Sequence, residues 1–116
     1  MGELALKYHK LEYNCSLCML KAFEEKYNIR LTEQTEKSCK VMNAGFGIGV
    51  ICNAITAGIM IFGIMLDETL AKSARIMLLS EVQERYGSIN CACLKDTYDC
   101  EDIIEFIANK IDKLIS

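Results

Sequence analysis

The stretch Val41–Leu66, VMNAGFGIGVICNAITAGIMIFGIML, contains no charged residue. By length alone it is a candidate membrane span. Several features favour a helix buried in protein instead. Gly45, Gly47 and Gly49 alternate, and each glycine disfavours helix by roughly 1 kcal/mol, so a turn belongs there. The helix that remains, Val50–Leu66, is roughly 25 Å long at about 1.5 Å per residue, short of a hydrocarbon core of about 30 Å. Asn53 and Thr56 would place polar groups inside a bilayer. The flanking segments also carry apolar stripes, and an apolar helix is what they would wrap. No membrane span is expected.

Outward from this stretch the chain reads as a series of capped helices. Residues 3–11 form a short leading helix. Asn14 caps a helix to about Tyr27, with Leu17, Cys18, Leu20, Ala22 and Phe23 on its apolar face, and Asn28 stops it. Thr32 opens the next, with Glu33 in its first turn and Lys37 and Lys40 near its end, a charge order that suits the helix dipole. That helix runs to the glycine turn. Asp67 caps an amphipathic helix to Tyr86, whose apolar residues Leu70, Ala74, Met77, Leu78 and Val82 recur at spacings of three and four; Gly87 closes it. A short cysteine-bearing segment, Ser88–Tyr98, precedes a last helix capped by Asp99 and striped by Ile103, Ile104, Ile107, Ile111, Leu114 and Ile115. No segment alternates like a strand. The expected fold is all-α, a compact helical bundle of about five helices around an apolar central helix, in one domain over residues 1–116. A chain that is 52% hydrophobic can fill such a core.

Net charge is -3 and there is no basic run, so nucleic acid is not an expected partner. The start, MGELALKYHK, is mixed and charged and lacks the apolar stretch of a secretory signal, so the expected location is the cytoplasm. Thiols stay reduced there, which disfavours a disulfide framework for the seven cysteines. The count is odd, so one at least would stay unpaired. Cysteine at this density points to a metal site, an iron–sulfur site or thiol redox chemistry.

Four of the cysteines share a local setting. Cys15 follows Asn14, Cys91 follows Asn90 and Cys100 follows Asp99, so each stands at a first helical position; Cys52 lies near another helix start, just past the glycines. Helix N-termini carry partial positive charge and favour thiolate, the form that binds metal or attacks a disulfide. Cys15-Ser16-Leu17-Cys18 is also a C-x-x-C, as in dithiol sites or half of a zinc site, with Cys91-Ala92-Cys93 or Cys100 as the other half. The spacings match no zinc ribbon and no common ferredoxin run. Cys18 and Cys39 occupy apolar-face positions, where cysteine serves equally well as a small core residue.

A set of ordered pieces narrows these alternatives. Tyr13-Asn14-Cys15, Gly45-Phe46-Gly47-Ile48-Gly49, Cys52-Asn53-Ala54-Ile55-Thr56-Ala57-Gly58, Gly87-Ser88-Ile89-Asn90-Cys91, and Cys100 before an apolar helix follow one another through nearly the whole chain. In order and spacing they resemble the C_GCAxxG_C_C family of redox-active proteins. The resemblance implies a small helical domain in which Cys15, Cys52, Cys91 and Cys100 act together. It also implies an iron–sulfur cluster, with the two-iron, two-sulfur type first and zinc as the alternative. Cys18, Cys39 and Cys93 fall outside the pattern. The chain departs from it at Asn53 and Ala57, where the family has glycine, and Gly58 comes one place late.

Helix starts aimed inward, with Asn14, Asn53 and Asn90 as donors, would stabilise a negatively charged cluster and raise its potential. Without iron, the same arrangement gives acidic, reactive thiols. Three readings follow: an iron–sulfur protein for electron transfer or redox sensing, a metal-free thiol–disulfide protein, and a zinc-stabilised helical interaction module. Whether the chain is an enzyme stays open, the redox partner is not named by the sequence, and a homodimer is compatible with it. His9 reads as solvated, and Met42, Met60, Met65 and Met77 as core filler. There is no Ser-His-Asp set, no phosphate loop and no paired carboxylates in an apolar frame.

Overall fold

A computed structural model describes residues 1–116. It is all-helical, with α1 (Gly2–Lys10), α2 (Cys15–Tyr27), α3 (Glu33–Cys39), α4 (Asn53–Met65), α5 (Glu68–Tyr86), α6 (Cys91–Thr97) and α7 (Cys100–Ile115). The α-helices thus number seven rather than about five. Much of the difference is the segment Ser88–Tyr98, which coils into a helix of its own, α6.

Capping chemistry sets most of the boundaries. Asn14 Oδ1 accepts from the Leu17 N–H, Thr32 Oγ1 from Thr35, Asp67 Oδ1 from Leu70 and Asp99 Oδ1 from Glu101. Asn28 and Gly87 close α2 and α5 in the left-handed conformation. Helix α3 stops at Cys39, short of the expected end. The Cys39 carbonyl accepts instead from Ser16 Oγ (3.0 Å) and Asn14 Nδ2 (3.0 Å), which fastens the end of α3 to the start of α2.

Helix α4 packs against α2, α5 and α7, while α1 lies across α2 and α7. Asn53, Ala54, Ile55, Ala57, Gly58, Ile61 and Phe62 are buried, so most of α4 is enclosed. Its last turn emerges, with Ile64 47% exposed. Around it, Met19, Leu20 and Phe23 of α2, Leu78 and Val82 of α5, and Ile104, Ile107 and Ile111 of α7 complete the core. Gly58 permits the close crossing: a Cβ there would stand 2.8 Å from Ile111 Cδ1 and 3.0 Å from Leu78 Cδ2. No helix is long and apolar enough to cross a membrane.

The helix expected from Val50 begins at Asn53. Val50 is extended, and residues 50–52 run antiparallel to residues 89–91. The Cys52 N–H donates to the Ile89 carbonyl (2.9 Å) and the Cys91 N–H to the Val50 carbonyl (2.8 Å). Ahead of this bridge, Gly45–Gly49 form a single turn with positive φ at Gly45, Phe46, Gly47 and Gly49. At the far end of α7, Asp112 accepts from Lys26 Nζ, Tyr27 Oη and the Met1 amino group (3.2 Å).

Candidate functional site

The bridge between residues 50–52 and 89–91 pairs Cys52 with Ile89 and Cys91 with Val50, which brings the starts of α4 and α6 together. Cys91 and Cys100 are first residues of α6 and α7, Cys15 is the first of α2, and Cys52 is the residue before α4. Helix starts from four parts of the chain therefore face one place. Cys15, Cys52, Cys91 and Cys100 line a single cavity of about 210 Å³. Its walls continue along two helices with the same spacing: Cys91, Leu94 and Lys95 on α6, and Cys100, Ile103 and Ile104 on α7. Tyr13, Asn14, Asn43, Ala44 and His9 complete it.

The glycine turn makes the close approach possible. At Gly45, φ is +59°, and a Cβ would stand 2.4 Å from the Val50 carbonyl oxygen and 2.8 Å from Cys91 Cβ. Asn53 secures the turn from behind. Its buried side chain accepts from the Phe46 N–H (2.9 Å) and donates to Thr56 Oγ1 (3.4 Å). The residue that departs from the family's glycine thus ties the turn to α4. Asn14 Nδ2 is likewise engaged, with Cys39 and Lys40. The amides of Asn14 and Asn53 are therefore not free donors to the cavity, contrary to expectation. Asn90 stands at the cap position of α6 but makes no side-chain cap bond.

The thiols differ in access. Cys52 and Cys91 are buried, Cys15 is half-buried and Cys100 is exposed. Burial pushes the Cys52 thiol up to about 12, although the N–H groups of Ala54 and Ile55 pull it back; Cys15 and Cys91 add repulsion. Burial also raises Cys15, as do Cys100 and Cys91, against the N–H groups of Ala44 and Ser16. Cys100 is raised by burial, lowered by the Lys95 ammonium, and raised again by Cys91, Asp99 and Glu101. The expectation that helix starts make these thiols acidic fails for these three. Removal from water and mutual repulsion outweigh the helix ends.

The other cysteines divide. Cys18 is buried, its Sγ lies 3.3 Å from the Tyr13 carbonyl, and burial pushes its thiol up to about 12. Cys39 is fully buried in the seam between α2 and α3, and Cys93 is exposed. None of these lines the cavity. His9 and Lys95 do, and sequence reasoning passed over both. Lys95 could have been found from its place four residues after Cys91. His9, read as solvated, is half-buried, and its Nδ1 is sealed from solvent with no hydrogen-bond partner.

The family described as "Putative redox-active protein (C_GCAxxG_C_C)" matches residues 13–114. The chain belongs to this family. No curated protein and no solved structure is detectably similar to it. In this member of the C_GCAxxG_C_C family, the matched residues include all four cavity cysteines, whereas His9 lies outside them.

Proposed function

We propose that residues 1–116 act as one redox domain in which Cys15, Cys52, Cys91 and Cys100 hold an iron–sulfur cluster, of the two-iron, two-sulfur type, for electron transfer or redox sensing. The observation that carries this reading is the convergence of these four thiols, from four separate helix starts, on one cavity. The donor set fits such a group: four sulfurs around a common space, with backbone N–H groups directed at Cys15 and Cys52. It fits a single zinc ion less well. Zinc needs all four donors about 2.3 Å from one point, whereas a two-iron cluster needs only two thiolates at each iron; no three His, Cys, Asp or Glu side chains stand close enough to hold a single ion of any metal.

A bound cluster would supply one-electron chemistry. The chain's own part is to hold the four thiolates, to offset their charge with helix starts and Lys95, and to limit water. Buried Cys52 and Cys91 form the floor of the site, and exposed Cys100 lies at its open side. Electrons would pass most directly there, so that face suits a redox partner protein. The cytoplasm, where thiols stay reduced, suits such a site.

The metal-free dithiol reading is weaker. Thiols raised by burial and mutual repulsion are protonated at neutral pH and attack slowly. The same repulsion is relieved when a cationic centre takes the thiolates. Anaerobic purification decides between the readings. Iron with acid-labile sulfide and a brown colour support the cluster. Colourless, metal-free protein in which pairs of these thiols oxidise reversibly would replace it with the dithiol reading, and stoichiometric zinc with the structural one.

A further inference from the structure

We infer that the outward face of α5 pairs with the same face of a second copy of this chain, antiparallel about a two-fold axis level with position 75. The inference is independent of the thiol site. Helix α5 is apolar on two sides. Ala74, Leu78, Val82 and Tyr86 enter the core. Leu70 and Met77, which their spacing assigns to that same stripe, do not. They are 55% and 48% exposed, and Ile76 beside them is 59% exposed. Single exposed apolar residues are ordinary, but three on one face of one helix form a patch.

The pattern of that face points to what covers it. Leu70, Ser73, Met77 and Ser80 are all exposed and follow one another at intervals of three, four and three, the seam by which one helix packs along another. Large and small residues alternate along it. In a copy running the opposite way, Leu70 stands opposite the partner's Ser80 and Met77 opposite the partner's Ser73, because both pairs are centred on position 75. Each large side chain then meets a small one, twice over, and the helices can approach closely. A parallel copy would set large on large and small on small, leaving gaps. Ile76, on the flank of the seam, comes next to the partner's Ile76 at the axis. A face that fits itself in this way is what a two-fold dimer requires, and an unrelated partner gives no reason for it.

The charges agree. From Thr69 to Gln83, no residue of the seam or its outer flank is charged. The nearest charges are engaged within the chain, Lys72 with Glu68 (3.5 Å) and Glu81 with Lys110 (2.8 Å). Arg75 itself is on the opposite side of the helix, at a hollow shared with Ile59 and Gly63. Two helices of 19 residues, each roughly 28 Å long, make a modest contact. It is smaller than that of permanent dimers, so the pair should come apart in the micromolar range. No residue of α5 lines the thiol cavity, so the seam takes in no wall of that site.

Sedimentation velocity on the whole chain, from micromolar to near-millimolar concentration, tests the pairing. Reductant keeps the exposed thiols of Cys93 and Cys100 from cross-linking copies. Wild type should pass from monomer to dimer across that range. Ile76→Glu should raise the dissociation constant about a hundredfold, because two carboxylates would meet at the axis. Its helix content and unfolding temperature, measured where both proteins are monomeric, should match wild type, since Ile76 is exposed in the single chain. Mixing tests the direction. Leu70→Glu and Ser80→Lys should each weaken the homodimer, and the two together should associate more tightly than either alone. An antiparallel pair sets the new carboxylate against the new ammonium at one contact and leaves the other contact native. Wild type that stays monomeric throughout would overturn the second copy and leave the face to a different protein. A dimer that Ile76→Glu leaves intact would overturn the assignment to α5. Mixed variants that associate no better than either alone would overturn the antiparallel arrangement.

Discussion

Helix α7 carries a polar cluster at each end, and the two are built on opposite plans. Near its C-terminus, Asp112 is surrounded by groups of complementary charge. Burial pushes its carboxyl up, but hydrogen bonds from Lys26, Tyr27 and the Met1 amino group win and hold it at about 2. At its N-terminus, Cys100 faces like groups. Burial raises it, Cys91, Asp99 and Glu101 raise it further, and Lys95 alone pulls it down. His9, across the same cavity, has a buried nitrogen with no partner. One cluster is complete within the chain and serves the fold. The other gathers groups that repel one another, a pattern common at functional sites.

The sharpest way to break this contrast is at the sulfurs. Cys91→Ser should abolish iron uptake in anaerobic reconstitution, because it removes a thiol fixed by the bridge to Val50. Cys39→Ser should keep full uptake. It loses only stability, about 1–3 kcal/mol for a hydroxyl placed in a closed seam. Equal loss of iron in both variants would make Cys39 a ligand and undo the division of the cysteines.

The glycine turn tests whether the cavity depends on backbone shape. Gly45→Ala drives a Cβ into the Val50 carbonyl at 2.4 Å, in a left-handed conformation. A cost of about 3 kcal/mol is expected from strain and overlap together, along with weakened iron uptake. Gly47 also has positive φ, but a Cβ there would meet nothing within 4 Å. Gly47→Ala should cost about 1 kcal/mol and leave uptake unchanged. Denaturant midpoints and iron content on the two proteins check both; equal behaviour would mean that crowding at Val50 and Cys91 is unimportant.

At the other end of α7 the effect should fall on stability alone. Asp112→Asn removes a charged acceptor from three donors, at a cost of about 2 kcal/mol. Iron content and potential should not change. The pH dependence separates the two clusters further. The carboxyl's folded value, about 2, lies below its ordinary 3.8. Its contribution is full above about pH 4 and is lost as pH falls toward 2. Cys52 has the opposite sign: raised from 9.0 to about 12, it leaves metal-free protein losing stability as pH climbs through that range. Thermal scans across pH should show the acid limb flattened in Asp112→Asn and the alkaline limb flattened in Cys52→Ser.

What was legible in the sequence is what local chemistry decides. Asn14, Thr32, Asp67 and Asp99 cap helices because a short acceptor before an apolar run does so in any surroundings. Cys15 and Cys100 stand at first helical positions for that reason; Cys91 stands at one too, although Asn90 makes no side-chain cap bond, and of the uncharged stretch it is α4 that enters the core. What was not legible depends on partners far along the chain. Helix α3 ends early where Asn14 and Ser16, at the start of α2, reach the Cys39 carbonyl, which also accepts from the Met42 N–H. The start of α4 is delayed by backbone hydrogen bonds to residues 89 and 91, which involve no particular side chain. The raised thiols follow from crowding that appears only once the four helix starts meet. Nothing next to His9 in sequence marks it as a cavity residue.

The smallest expected effect lies at Asn53, where this chain differs from its family's pattern. The side chain is fully buried, and its Oδ1 receives the Phe46 N–H of the glycine turn. Asn53→Gly would restore the family's residue but remove that acceptor. The Phe46 amide is then left to water, since the turn is exposed at Phe46 and Gly47. Water can replace the lost partner, so the cost should stay near 1 kcal/mol rather than the full penalty of a sealed donor. The loss should be local: hydrogen exchange at Phe46 should quicken, while exchange at Cys52 and Cys91, protected by the bridge to Ile89 and Val50, should not. Iron uptake should remain. If exchange quickens at Cys91 as well, the turn and the bridge open together, and Asn53 secures the whole floor of the thiol cavity rather than the turn alone.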